Sequence, residues 1–329
     1  MIENLKFHVA GMETAAPLVS LVVPVFNERG SVGPFVSAVD AAIAASWSID
    51  EITPRFEIVF VDDGSADDTR ETVRAMCRTD LRIKLVSLSR NFGKEAALSA
   101  GLKAASGDAV IPMDVDLQDP PELLRPMIER WRAGAQVVNA KRSDRSADTL
   151  FKRSSSRFFY KAINSLAEYP IASDVGDFRL FDRVAVDALN RMTEHSRFNK
   201  GLFSWIGFRT ESIEYTRPSR SVGDTKWSVS KLLALALDGI VASTTFPLRI
   251  WTALGAIISL FAFFYAAFLI IHTLAYGVDT PGYASLMAAV LFLGGLNLLS
   301  LGLMGEYIGR ISKQVRGRPL YIVADTEGF

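Results

Sequence analysis

Short, unbroken apolar runs alternate along the first half of the chain with longer stretches whose apolar positions recur at helical spacing. Leu18 to Phe26, LVSLVVPVF, is rich in valine and has no polar face, the pattern of a strand covered on both sides. Asn27-Glu28-Arg29-Gly30-Ser31 breaks the run, and a helical pattern follows from Val32 to Ala45. The alternation then repeats. Strand patterns at Phe56 to Val61, Ile83 to Ser87 and Asp108 to Met113 are separated by helical ones at Thr69 to Arg78 and Glu95 to Ala105. A helix at Leu123 to Ala133, a strand at Ala135 to Ala140 and a return to strand character at Asp174 to Phe181 complete the series. Strands alternating with helices imply right-handed crossovers and a mostly parallel sheet, hence an α/β fold.

The carboxyl end reads differently. No charged residue occurs from Ile250 to Ile271, about 22 positions, or again from Ala284 to Gly305, and each stretch is long enough to cross a hydrocarbon core of about 30 Å. Two C-terminal transmembrane helices are expected. The connection His272 to Tyr283 has no Lys or Arg, whereas Arg217, Arg220, Lys226, Lys231 and Arg249 precede the pair and Arg310, Lys313, Arg316 and Arg318 follow it. The positive-inside rule then places the soluble part and both termini in the cytoplasm, at the inner membrane. The amino terminus shows no secretory signal pattern. The expected organisation is an extension (1–17), a soluble domain (18–228), amphipathic juxtamembrane helices (229–248), two spans (249–275 and 284–306) and a cytoplasmic tail (307–329).

Charge and rare residues narrow the chemistry. Among 329 residues, 36 Lys and Arg balance 36 Asp and Glu, so the basic footprint of a nucleic-acid binder is absent. Cys77 is the single cysteine and cannot form an internal disulfide, and His8, His195 and His272 are scattered. Imidazole catalysis and a Cys/His metal centre are disfavoured.

The polar clusters sit where strands end: Asn27-Glu28, Asp62-Asp63, Ser89 to Lys94, and Asp114 to Gln118. In parallel α/β sheets, ligands lie outside the carboxyl ends of the strands. An Asp-x-Asp at such an end places Asp114 and Asp116 on one face of an extended chain, with Gln118 two residues further along it. Hard carboxylate oxygens suit Mg²⁺ or Mn²⁺ carrying substrate phosphates. Alone, the pattern also fits a solvated turn; four converging polar strand ends favour a site. Neither Gly-x-x-x-x-Gly-Lys nor Gly-x-Gly-x-x-Gly is present. The basic stretch carrying Arg142, Arg145, Lys152, Arg153 and Arg157 fits equally a solvated loop or a seat for an anionic lipid head group.

VPVFNE (Val23 to Glu28), VDDGS (Val61 to Ser65), SRNFGKEAAL (Ser89 to Leu98), MDVDLQDPPE (Met113 to Glu122), GDFRLF (Gly176 to Phe181) and the RxxGxTKW pattern (Arg220 to Trp227) together resemble family 2 inverting glycosyltransferases. The likeness is closer to the polyprenyl-phosphate branch and covers nearly the whole chain. It implies a GT-A nucleotide-sugar fold and metal-dependent transfer from a UDP- or GDP-sugar to a polyprenyl phosphate held in the membrane. By resemblance, Pro24, Phe26, Glu28, Asp62, Asp63, Asn91, Lys94 and Asp114 line the nucleotide sugar, and Asp116 and Gln118 hold the metal. Arg142, Arg153, Arg157, Lys200, Arg220 and Lys226 would meet the diphosphate or the acceptor phosphate, and relatives suggest a homotetramer.

Two departures stand out: Val115 replaces the usual Ala between the aspartates, and Phe26 the common Tyr. Lys200 also stands where relatives often carry Arg. An acceptor phosphate is already anionic, so Asp177 is expected to orient groups rather than act as a strong base. Glucose from UDP-glucose is the expected sugar, with mannose, N-acetylglucosamine, galactose or formamido-arabinose as alternatives. A processive polymer synthase is disfavoured by the missing Gln-x-x-Arg-Trp motif. A non-catalytic lipid-binding or assembly protein is the reading from another class.

Overall fold

A computed structural model describes residues 16–48, 51–142, 175–192, 194, 199–216, 246–276 and 282–329. Arg153, Arg157, Arg220 and Lys226 lie outside these residues, as do all but the last three positions of the expected juxtamembrane helices.

The chain divides into two compact units, residues 1–157, 171–226 and 319–329 in one and residues 158–170 and 227–318 in the other. In the first, the described strands are β1 (Leu18–Val25), β2 (Arg55–Asp62), β3 (Ile83–Leu88), β4 (Ala109–Pro112), β5 (Val137–Arg142), β6 (Val175–Asp182), β7 (Thr210–Tyr215) and β8 (Val323–Glu327). They form one sheet in the order β7-β5-β6-β4-β1-β2-β3-β8. Its described helices are α1 (Arg29–Ser46), α2 (Thr69–Cys77), α3 (Lys94–Ala104), α4 (Leu124–Arg132), α5 (Arg183–Arg191) and α6 (Asn199–Trp205).

The valine-rich strands are apolar at most positions because both faces are covered. Val19, Leu21, Val23 and Val25 of β1 join one cluster with Phe35 of α1, Val73 of α2 and Met127 of α4. Val22 joins the other, with Leu98 of α3, Val186 of α5 and Phe203 of α6. Gly101 lets α3 approach: a Cβ there would lie about 3.0 Å from Val61 and closer still to Val22.

β1 pairs in parallel with β2 on one side and β4 on the other, so the strand order reverses at the carboxyl edge between β1 and β4. Such a reversal opens a crevice for ligands. β6 runs antiparallel to both β4 and β5. Its beginning, Val175 to Asp177, therefore returns to the edge where β4 and β5 end.

At the opposite edge, Glu57 of β2 is buried yet charged. Its carboxylate accepts from Lys84 Nζ (2.6 Å), Ser106 N (2.7 Å), Ser106 Oγ and Ser20 Oγ. Burial alone would raise its pKa, but Lys84, Ser20 and Ser106 reverse that and bring it down to about 2.

Two corrections concern the ends of elements. Residues 307–329 are not a free tail: α8 of the second unit continues to Val315, and Val323 to Glu327 form β8, antiparallel on β3. β7 also escaped the sequence reading, because TESIEY offers few apolar positions and its strand is mostly exposed on alternate residues.

The second unit contains α7 (Phe246–Tyr276) and α8 (Tyr283–Val315), about 46 and 50 Å long at a rise of about 1.5 Å per residue. Many of their described apolar side chains are exposed, among them Phe261, Phe263, Phe264, Leu298 and Leu299. Counted over the described residues alone, no helix is long and apolar enough to cross a membrane. The charge-free lengths noted above belong to the full sequence.

Candidate active site

The carboxyl ends of β1 and β4, the start of α3 and the start of β6 converge on a small pocket lined by Pro24, Lys94, Asp114, Asp119, Asp177 and Phe178, among others. Lys94 organises its charges. Its Nζ lies 2.6 Å from Asp114 Oδ1 and 3.1 Å from Asp177 Oδ2. Desolvation works against the ammonium, but the carboxylates of Asp114 and Asp177 outweigh it and hold Lys94 above the ordinary lysine range. Two carboxylates separated by 63 residues thus share one counter-charge in this pocket.

The aspartate motif departs from the extended geometry expected of it. β4 stops at Pro112, Val115 and Asp116 enter a turn, and Leu117 takes a left-handed conformation with φ 56°. Asp114, Asp116 and Gln118 therefore do not share one strand face. Asp114 points to Lys94; Asp116 is exposed and accepts Gln118 N at 3.1 Å; the Gln118 side chain is buried. Proline at 120 and 121 disfavours continuing the strand, and the turn exposes Asp116 beside the pocket.

Asp62 and Asp63 build the neighbouring wall. Asp62 accepts from Arg70 Nε at 3.0 Å and Ser65 N at 3.1 Å. Asp63 accepts Phe92 N at 2.7 Å and Gly93 N at 2.9 Å. Burial pushes the Asp63 carboxyl upward, partly offset by those amides. Both aspartates thereby fasten loops at this edge of the sheet, Asp62 the turn at Ser65 and Asp63 the loop ending at Gly93.

Gly64, at φ +73°, sits so close to this loop that an added Cβ would lie 2.5 Å from Arg90 C. Gly64→Ala is expected to cost about 2–3 kcal/mol, combining left-handed strain with a backbone clash. Thermal unfolding of the variant reads that loss, and an unchanged melting temperature would show that the loop gives way freely.

The remaining expected residues are distributed as follows. Pro24 lines the pocket, Phe26 is 45 % exposed beyond β1, and Glu28 accepts Ser31 Oγ at the start of α1. Asn91 is exposed on the Ser89–Gly93 loop. Arg142 ends β5, and its buried Nε has no hydrogen-bond partner among the described residues. Lys200 lies in the backbone of α6. Sequence reasoning missed Asp119 and Tyr215, joined by a hydrogen bond of 3.2 Å. Asp119 stood inside a quoted motif without being singled out; Tyr215 carries no local signal.

Among the described residues no group of three His, Cys, Asp or Glu forms a ready metal cage. The donors present nevertheless fit Mg²⁺ or Mn²⁺, which are commonly held by one or two carboxylates plus substrate phosphates. Asp116 is the exposed hard carboxylate beside the pocket, and Asp114 is the second.

A doubly covered sheet with its polar ends gathered at a strand-order reversal is a nucleotide-binding architecture. The chain belongs to glycosyl transferase family 2, whose pattern matches residues 20–189, and it is accordingly a glycosyltransferase. Residues 246–311 match a second pattern, the GtrB C-terminal hairpin.

Its relatives include the SfII prophage-derived bactoprenol glucosyl transferase of Shigella flexneri, 46% identical over 93% of this chain and 97% of that protein. A prophage bactoprenol glucosyl transferase homolog of Escherichia coli K12 is 45% identical over 93% and 98%. An uncharacterised glycosyltransferase of Synechocystis is 45% identical over 94% and 96%.

Proposed function

We propose that this protein moves glucose from a nucleoside diphosphate sugar, UDP-glucose first, onto a polyprenyl phosphate in the cytoplasmic membrane. The observation that carries the reading is that the Lys94–Asp114–Asp177 pocket lies at the strand-order reversal of a chain alike from end to end with bactoprenol glucosyl transferases. The hairpin match and the charge-free lengths of α7 and α8 support two membrane spans, with the basic flanks and the catalytic unit on the cytoplasmic side.

In the reaction a phosphate oxygen of the lipid forms a bond to the anomeric carbon. The bond from that carbon to the diphosphate oxygen breaks, and the nucleoside diphosphate leaves with the electron pair. Attack opposite the leaving group inverts the centre. Bound at Asp116 with Asp114, a divalent cation would supply positive charge against the leaving diphosphate. Lys94 offers a fixed ammonium to the same region and keeps Asp114 and Asp177 from repelling an anionic donor. Asp177 orients Lys94 and abstracts no proton, because the attacking phosphate is already ionised. Arg142, at the end of β5, presents a guanidinium to phosphate oxygens.

Purified protein in detergent with undecaprenyl phosphate and a panel of labelled UDP- and GDP-sugars tests the reading. Label extractable with lipid is expected from UDP-glucose alone and is lost with EDTA. Transfer from another donor would replace the sugar, and no transfer from any donor would favour an anionic-lipid-binding protein.

A further inference from the structure

We infer that β8, the strand that follows the helical hairpin in sequence, is a positioning element of the donor site; the inference rests on the reading of that site as the seat of a nucleoside diphosphate. β8 pairs with β3 from Leu85 opposite Glu327 to Leu88 opposite Val323, with a register shift between Ser87 and Leu88. Just past the shift the pairing is extended by one bond, Ser89 N to Ile322 O at 2.9 Å. Ser89 opens the loop whose far end, Phe92 N and Gly93 N, is held by the two oxygens of Asp63. The next residue is Lys94, the cation between Asp114 and Asp177.

A five-residue loop is thus gripped at both ends, by β8 at Ser89 and by Asp63 at Gly93. Phe92 and Tyr321, the latter just before Ile322, pack against the same apolar cluster. β8 is itself fastened from outside the site. Arg74 of α2 reaches Glu327 through Nε and Asp325 through Nη2, both at 2.8 Å, and Arg78 lies 3.6 Å from Glu327. A strand added only to cover the edge of β3 needs no bond beyond the last residue of that strand. The bond to Ser89 reaches into the loop that sets where Lys94 begins α3.

Coupling of this kind is reciprocal: if β8 orders the donor loop, an occupied donor site must steady β8. Hydrogen–deuterium exchange of the full-length protein with and without UDP and Mg²⁺ tests this directly. UDP is expected to slow exchange about fivefold or more at residues 89–93 and also at 322–327. Protection at 89–93 with none at 322–327 would overturn the inference. Protection nowhere would overturn the nucleotide reading itself, and the role of β8 would fall with it.

A charge reversal supplies the second readout. Arg74→Glu, which faces Asp325 and Glu327 with a like charge, is expected to raise the KM for the sugar nucleotide about fivefold or more with little change in kcat or in KM for the lipid. Combining it with Asp325→Arg and Glu327→Arg should restore the KM. Faster exchange at 322–327 in Arg74→Glu with an unchanged donor KM would reduce β8 to an edge cover.

Discussion

Asp116→Ala is expected to lower sugar transfer to the lipid by on the order of 10²–10³-fold, with little change in the melting temperature. The reason lies in where the turn leaves this side chain. Asp114 is already engaged by Lys94, whereas Asp116 is exposed beside the pocket and spends one oxygen on the Gln118 amide. It is the carboxylate most available to a hard cation bound to a diphosphate. Asp116→Asn separates charge from shape, since an amide oxygen can still accept the Gln118 N–H while the ligand charge is gone; it should lose nearly as much activity. Initial rates over a range of Mg²⁺ and Mn²⁺ concentrations make the measurement. A loss of only severalfold that EDTA then deepens would move the ligand role to Asp114, and one that EDTA leaves unchanged would remove the metal from the reaction.

Removing the buried charge of Glu57 is expected to have the largest effect on stability. Glu57→Ala leaves Lys84 without its carboxylate and Ser20 and Ser106 without their acceptor, a change of about 3–5 kcal/mol for a broken buried pair. At about 2–4 °C per kcal/mol for a domain of this size, the melting temperature falls by roughly 6–20 °C. The pH dependence follows from the depressed pKa, about 2 against an ordinary 4.5. Its contribution to stability is fully present above pH 4.5 and is lost as the pH falls through 4.5 toward 2. The difference in unfolding free energy between wild type and Glu57→Gln should therefore shrink across that window and stay constant from pH 5 to 8. A difference that does not vary with pH would show that the carboxylate is not held ionised by the fold.

The same network shows why a functional search of the sequence passes over such a residue. Glu57 stands in RFEIVFVD as one charge in an apolar strand, and its partners Ser20, Lys84 and Ser106 are 37, 27 and 49 residues away. Asp177 poses the reverse case. It was visible as an acidic residue in a strand-like segment, but its partnership with Lys94 depends on β6 running antiparallel to β4. The Asp114 motif is legible as a candidate site but not as a shape, because the alternation of an extended chain ends at Pro112 and a turn follows.

Sequence alone determined the elements whose signals are local. The apolar periodicity marked β1 to β6 and the first four helices, since a strand covered on two faces is apolar at most of its positions. The charge-free lengths marked α7 and α8, and the polar strand ends marked the edge that carries the site. Tertiary structure alone decided what depends on strand order and direction: the crevice between β1 and β4, the return of Asp177 to it, the Asp119–Tyr215 pair, and the capture of residues 323–327 by β3. Those pairings join residues from 71 (Val110 and Phe181) to 242 (Leu85 and Glu327) positions apart through backbone amides and single side chains. Backbone hydrogen bonding is nearly the same for every residue type, so the partner of an edge strand leaves almost no trace in the sequence until the fold brings the two together.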